Sequence, residues 1–186
     1  MSADIGRDVH LPSEGEALAA AIVLHPHPGM GGDRHHPLVV AVAEGLAGAG
    51  VAAARIDLAD PDPTLSVRLL ESAALSLAAE VGTGRVVLVG YSWGSAVSSW
   101  ATPPGLVGRV LVAPPVSSMT LGPDDGRPLL ALVPAHDQFG PPADVAATLD
   151  GRQGATVEIV DGCDHFLVGA VARIATRAVA WTLDQL

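Results

Sequence analysis

A serine between two glycines, Gly90-Tyr91-Ser92-Trp93-Gly94, follows the apolar run Val86-Val87-Leu88-Val89 and leads straight into a helix-like stretch. That placement puts Ser92 on a tight strand-to-helix turn, with its Oγ lifted above the end of a sheet. The flanking glycines fit a turn that brings backbones too close for a Cβ. The helix beginning there aims its free N–H groups and the positive end of its dipole at the same point. A hydroxyl is a weak nucleophile until a base takes its proton, and the usual base is a histidine oriented by a carboxylate. The competing role, a serine that only caps a helix, would not require a strand directly before it.

The partners should come later in the chain, acid first and then histidine. Leu129 to Pro134 reads as a strand, and Ala135-His136-Asp137 follows at its carboxyl end. Val157 to Val160 ends another strand pattern, followed by the loop Asp161-Gly162-Cys163-Asp164-His165-Phe166. Ser92, Asp137 and His165 would then all lie at carboxyl ends of strands, where open α/β sheets bind their ligands. Asp161 is the fallback acid. Asp164 adjoins the base and reads as a solvent or cap residue, and His136 as a surface or loop-packing histidine. Cys163 reads as a small buried residue, because the nucleophile position is already serine.

A developing oxyanion needs fixed N–H donors. The loop His25-Pro26-His27-Pro28-Gly29-Met30-Gly31-Gly32 follows the first long strand, Ala20 to Leu24, and can supply one. Pro28 has no N–H, which leaves Gly29 or Met30; the second donor should be the N–H of Trp93. His25 and His27 read as braces for this loop. A rival reading makes His25, His27, His35 and His36 metal ligands. The spacing disfavours it, since the first acid after His27 is Asp33 and no Cys or Glu joins the group. No metal and no cofactor are expected.

Apolar runs alternating with helical periodicity must position these groups, which is the pattern of a mostly parallel sheet covered on both faces. Leu38, Val39, Val42, Ala43 and Leu46 mark a helix face, stopped by Gly48 and Gly50. Val51 to Leu58 is the next strand, followed by the loop Asp60-Pro61-Asp62-Pro63. Thr64 is expected to cap a helix to about Val81, with Leu65, Leu69, Ala73 and Leu77 inward. Arg85 to Gly90 is a strand and Ser92 to Ala101 a helix. Arg109 to Ala113 and Leu129 to Pro134 are strands, Ala143 to Leu149 a helix, and Thr156 to Val160 a final strand. Val168, Val171, Ala175, Val179 and Leu183 line a closing helix. An antiparallel edge strand is expected around Asp8 to Leu11. The fold class is α/β, with about six or seven strands in one domain over residues 1–186.

The chain has 186 residues, 49% of them hydrophobic, too many for disorder. All basic residues are arginine, and 20 acids against 10 bases leave a net charge of −10. That disfavours nucleic acid and anionic membranes as partners. Met1 to His10 lacks the apolar core of a secretory signal, and Leu38 to Ile56, the most apolar window, is broken at Ala49-Gly50. One cysteine permits no internal disulfide. A cytoplasmic protein is expected; its oligomeric state is left open.

The His25-Pro26-His27-Pro28…Gly31-Gly32 loop, the Gly90–Gly94 turn, Ala113-Pro114-Pro115, Asp137 and Gly162-Cys163-Asp164-His165-Phe166 together resemble the small, cap-less α/β-hydrolases related to dienelactone hydrolases. The resemblance runs from about His25 to the end of the chain. It implies a Ser92–Asp137–His165 triad acting through an acyl-enzyme on small ester-like substrates, with thioesters and lactones open to the same chemistry. Dienelactone hydrolases proper carry cysteine where this chain has Ser92, so their substrate is not carried over. Relatives often have an Arg-rich segment where this chain has Asp57-Leu58-Ala59-Asp60-Pro61. Only about a dozen residues separate Pro115 from Pro128, too few for a helical lid. An open, shallow site is therefore expected, with Met30, Trp93, Pro115 and Phe166 as its apolar wall and Arg34 a candidate cation at its mouth. The alternative is a catalytically silent binding protein on the same fold.

Overall fold

The computed structural model describes residues 6–59 and 61–186. Asp60 of the expected Asp60–Pro63 loop, and the first residues of the Met1–His10 segment, lie outside them. The elements run β1 (Arg7–His10), β2 (Ala20–Leu24), α1 (Pro37–Gly48), β3 (Ala52–Ile56), α2 (Pro63–Glu80), β4 (Val86–Tyr91), α3 (Trp93–Trp100), β5 (Leu106–Val112), β6 (Leu129–His136), α4 (Pro142–Leu149), β7 (Ala155–Asp164) and α5 (Val171–Asp184). The strands form one seven-stranded sheet in the order β1-β3-β2-β4-β5-β6-β7. Only β1 is antiparallel, pairing Arg7 with Ile56 and His10 with Ala53.

Strand alternation divides the core. Ala21, Val23, Val87, Val89 and Tyr91 face α1 and α5, while Ala20, Ile22, Leu24, Val86 and Leu88 face α2 and α3. Both sides of β2 and β4 are therefore buried, as uninterrupted apolar runs require. The connections leaving β2 and β4 run to opposite sides of the sheet, to β3 and to β5. That divergence opens a crevice above the adjacent carboxyl ends of β2 and β4.

Two helices are rotated from the expected faces. The α2 cap is Asp62, whose Oδ1 accepts the Leu65 N–H at 2.7 Å, and not Thr64. Its inward residues are Ser66, Leu70, Ala74, Leu77 and Ala78, and Leu65 is exposed. Leucine and alanine at nearly every turn of this helix let two adjacent stripes satisfy the same periodicity, and docking on β2 selected one. In α5 the buried residues are Ile174, Ala175, Ala178, Trp181 and Thr182, while Val168 precedes the helix and is 79% exposed. Strand β7 also runs on through Asp161–Asp164, read above as a loop, after a register shift that pairs Asp164 with His136.

Ionic contacts fix two corners. Arg34 donates to Asp8 at 2.9 Å and also pairs with Asp57, tying β1 to the end of β3. It is therefore a strap and not a cation at the mouth of the site. Arg109, 2% exposed on β5, donates to the carbonyls of Ser98, which also accepts the Ala101 N–H, and Ala101 at the end of α3 and grips Asp125 through two nitrogens. Burial alone would raise the Asp125 pKa, but the Arg109 and Arg127 guanidiniums outweigh it and hold the carboxyl at about 2.

A carboxylate lowered on folding contributes stability that is complete above its unfolded value of 3.8 and is lost as pH falls through about 2. Asp125→Asn should therefore cost roughly 1 kcal/mol at neutral pH, since solvent screens this exposed carboxylate. In urea titrations its deficit against the parent should persist from pH 7 to 5 and shrink steadily below pH 4. A deficit independent of pH would mean that the charge contributes nothing.

Candidate active site

At the end of β4 the backbone turns so sharply that Ser92 takes φ 54° and ψ −118°, a conformation costing a non-glycine residue roughly 1–3 kcal/mol. The glycines explain how the turn closes. A Cβ on Gly90 would lie 2.2 Å from the Gly94 carbonyl oxygen, and one on Gly94 would lie 2.5 Å from the His25 carbonyl oxygen. The Ser92 side chain makes no capping bond to α3, which sets aside the simple cap role. Helix α3 is buried nearly all round, and its serines satisfy themselves locally: Ser98 Oγ donates to the Gly94 carbonyl at 2.7 Å.

The Ser92 Oγ is 2.8 Å from His165 Nε2, and His165 Nδ1 is 2.9 and 2.8 Å from the two carboxylate oxygens of Asp137. Asp137 also accepts the N–H groups of Phe139 and Gly140 at 2.8 and 3.0 Å, so its orientation is fixed from two directions. With the carboxylate beside it, Nδ1 carries the proton, and the Nε2 lone pair faces the hydroxyl. Asp137 and His165 are 3% and 6% exposed. The Tyr91 hydroxyl donates to the His165 carbonyl at 2.7 Å; burial raises the phenol pKa, so this donor stays protonated.

The other sequence candidates fall outside this line. Asp164 Oδ1 accepts the Phe166 N–H, His136 is exposed, and the Asp161 carbonyl accepts from Arg173. Cys163 is buried, which pushes its thiol pKa up. The histidines of the early loop use their ring nitrogens on the backbone. His25, 1% exposed, has Nδ1 2.6 Å from the Pro26 carbonyl, while its Nε2 accepts the Leu58 N–H at 3.0 Å. Burial lowers its pKa and favours the neutral ring that this pattern needs. His36 caps α1 by accepting the Leu38 N–H.

The expected early-loop donors are already used. The Gly29 N–H is given to His27 Nδ1 and the Met30 N–H to the His27 carbonyl, both at 3.0 Å, because Pro28–Met30 curls into a 3-10 turn. Gly29 does not line the Ser92 pocket and lines instead a separate cleft with Pro28 and Asp57. The backbone N–H groups of His27 and Trp93 have no hydrogen-bond partner among the described residues, and both residues line the Ser92 pocket. Sequence reasoning stopped at the proline and looked forward, and so passed over His27.

The pocket holds about 270 Å³. Met30, Trp93, Pro115 and Phe166 all line it, joined by Tyr91, His36, Met119 and Phe139. Phe139 was not anticipated, yet its ring centroid is 4.6 Å from that of His165. The only cue was its place in the turn that wraps Asp137. Residues 113–128 form no lid helix; they lie along α3, with a Gly122 Cβ position only 2.2 Å from the Ser99 carbonyl oxygen.

The turn makes a prediction of its own. In Gly94→Ala the new methyl would meet backbone at His25, which cannot swing aside as a side chain can. The variant should lose at least about 2 kcal/mol of stability. Gly48→Ala, with open space at its Cβ position, should lose none. Thermal melts of the pair check this; equal melting temperatures would contradict the close packing.

No family model and no curated protein matches the chain. Solved structures do. An alpha-beta serine hydrolase homologue from Coxiella burnetii superposes with a TM-score of 0.80 at 21% identity, over 95% of this chain and 90% of that one. A serine hydrolase without a lid from Xanthomonas campestris gives 0.79 at 21% identity, over 97% and 88%. An esterase domain from Rhodothermus marinus gives 0.73 at 17%, over 96% and 98%. The chain has the fold of the cap-less α/β-hydrolases.

Proposed function

We propose that the chain is a serine hydrolase that cleaves small carboxylic esters through an acyl-enzyme on Ser92, without a cofactor. One observation carries this reading: hydroxyl, imidazole and carboxylate lie in line at 2.8 Å and 2.8–2.9 Å, nearly sealed from water. The same chain of contacts would serve no purpose in a silent binding protein.

In this mechanism Nε2 of His165 takes the hydroxyl proton as Ser92 Oγ attacks the ester carbonyl. The carbonyl oxygen becomes an oxyanion held by the N–H groups of Trp93, the donor expected from sequence, and of His27 in place of the expected Gly29 or Met30. Asp137 stabilises the imidazolium and keeps its tautomer. The imidazolium then protonates the departing alcohol, leaving an acyl ester on Ser92. Water, activated by the same imidazole, attacks that ester and releases the acid and the free serine. A volume of about 270 Å³ and an open rim at Met30 and Phe166 favour short acyl groups. The lone buried thiol fits a cytoplasmic setting, where cysteines stay reduced.

A fluorophosphonate probe should label the parent protein and leave Ser92→Ala unlabelled; no labelling of folded parent protein would support the silent alternative. Asp137→Asn should retain the fold and lose about 10³–10⁴ in kcat toward p-nitrophenyl acetate. Among neutral p-nitrophenyl esters, acetate and butyrate should be cleaved well and laurate poorly. A clear preference for laurate would overturn the short-acyl reading.

A further inference from the structure

A second cavity, about 600 Å³, opens between α2 and α3. Val67 and Arg68 of α2 and Val97 and Trp100 of α3 form its sides, and Ser118 and Met119 form one end. Ser118 and Met119 also wall the Ser92 pocket, so the two spaces are neighbours that share this wall. At 1.5 Å per residue, Val97 and Trp100 lie about 7.5 and 12 Å past Ser92 along the axis of α3. The groove is therefore within reach of a bound acyl chain.

Its side of the sheet fixes which half of an ester could enter. His165 is flanked by Cys163 and Leu167, which pack in the core on the α1/α5 face, whereas the groove belongs to the α2/α3 face. The leaving alcohol must sit beside Nε2 to receive its proton, near Phe139 and Phe166. The acyl chain then points away from His165, over Met119.

Arg68 gives the groove a charge. The other arginines are engaged: Arg7 with Glu80, Arg34 and Arg55 with Asp8, Arg109 and Arg127 with Asp125, Arg177 with Glu158, and Arg85, Arg152 and Arg173 with carbonyls. Arg68 alone has no partner among the described residues, in a chain with 20 acids. On the opposite wall Trp100 is 48% exposed, with its Nε1–H given to the Thr120 carbonyl and its ring left as wall. An apolar trough with a free guanidinium on its α2 wall complements an apolar chain that ends in an anion.

We infer that this groove is an acyl subsite for esters of dicarboxylic acids, with the chain lying over Val97 and Trp100 and its distal carboxylate paired with Arg68. The inference rests on the esterase reading for its chemistry: the ester bond to the alcohol breaks, Ser92 holds the monoacyl group, and water releases the free diacid.

The test compares mono-p-nitrophenyl suberate with p-nitrophenyl octanoate, which matches it in chain length. The parent should favour the acid-ended ester about tenfold in kcat/KM, through KM, and the preference should fall as salt rises. Arg68→Gln should bring the ratio to about one. A parent with no preference, or a variant that keeps it, overturns the inference. Calorimetric binding of monomethyl suberate to Ser92→Ala, with and without Arg68→Gln, decides the subsite even if no ester is hydrolysed. Weaker binding with the added substitution supports the subsite and equal binding refutes it, whereas absent turnover would count only against the esterase reading.

Discussion

The arrangement of the site depends on how closely two backbones approach where β4 becomes α3. Gly90 lies against the Gly94 carbonyl and Gly94 against the carbonyl of His25, so the strand, the helix and the neighbouring β2 loop share one point of contact. No side chain larger than hydrogen fits at either position. The same crowding keeps Ser92 at a positive φ, and that torsion is what lifts its hydroxyl clear of both elements. It also brings the first free N–H of α3 and the N–H of His27 to the same pocket, because the β2 loop is pressed onto the helix start.

Rigid supports hold the groups that converge on this point. Asp137 is gripped by two backbone N–H groups, and the carbonyl of His165 by the Tyr91 hydroxyl. The far end of α3 is anchored by Arg109, whose guanidinium adds a second donor to the Ser98 carbonyl and satisfies the carbonyl of Ala101 just past the helix. His25 bridges the β2 loop to the chain leaving β3 while stacking on Trp93 at 5.8 Å. Reacting groups set by such contacts need little reorganisation when charge develops, which is where most catalytic stabilisation arises.

The two faces of the sheet serve the site differently. The α1/α5 face delivers His165 with its aromatic neighbours, and the α2/α3 face delivers Ser92 and the apolar groove beyond Met119. Because residues 113–128 lie along α3 and form no cap, the space between these halves opens directly to solvent.

Local chemistry in the sequence determined a good deal. The run Val86–Val89 followed at once by Gly-x-Ser-x-Gly specifies a strand-to-helix turn, since few other backbones need glycine at both flanks. Strand β2 and the buried face of α1 could be read residue by residue, the strand as a short uninterrupted apolar run and the helix from its largest apolar residues recurring at three- and four-residue steps. Asp137 and His165 could be placed at strand ends from the strand pattern alone. Tertiary structure decided the rest. The face of α2 was ambiguous because its apolar residues fill more than one stripe, so docking on the sheet and not periodicity chose between them, whereas in α5 the helix starts at Val171, past Val168, and its buried stripe runs through Ile174, Ala178 and Trp181. The fate of the Gly29 and Met30 N–H groups depended on a 3-10 turn whose acceptors are His27 atoms. That Arg34 pairs with Asp8 and Asp57 while Arg68 has no partner among the described residues could not be read from the sequence: ion pairs follow distances between elements, and those exist only once the chain has folded.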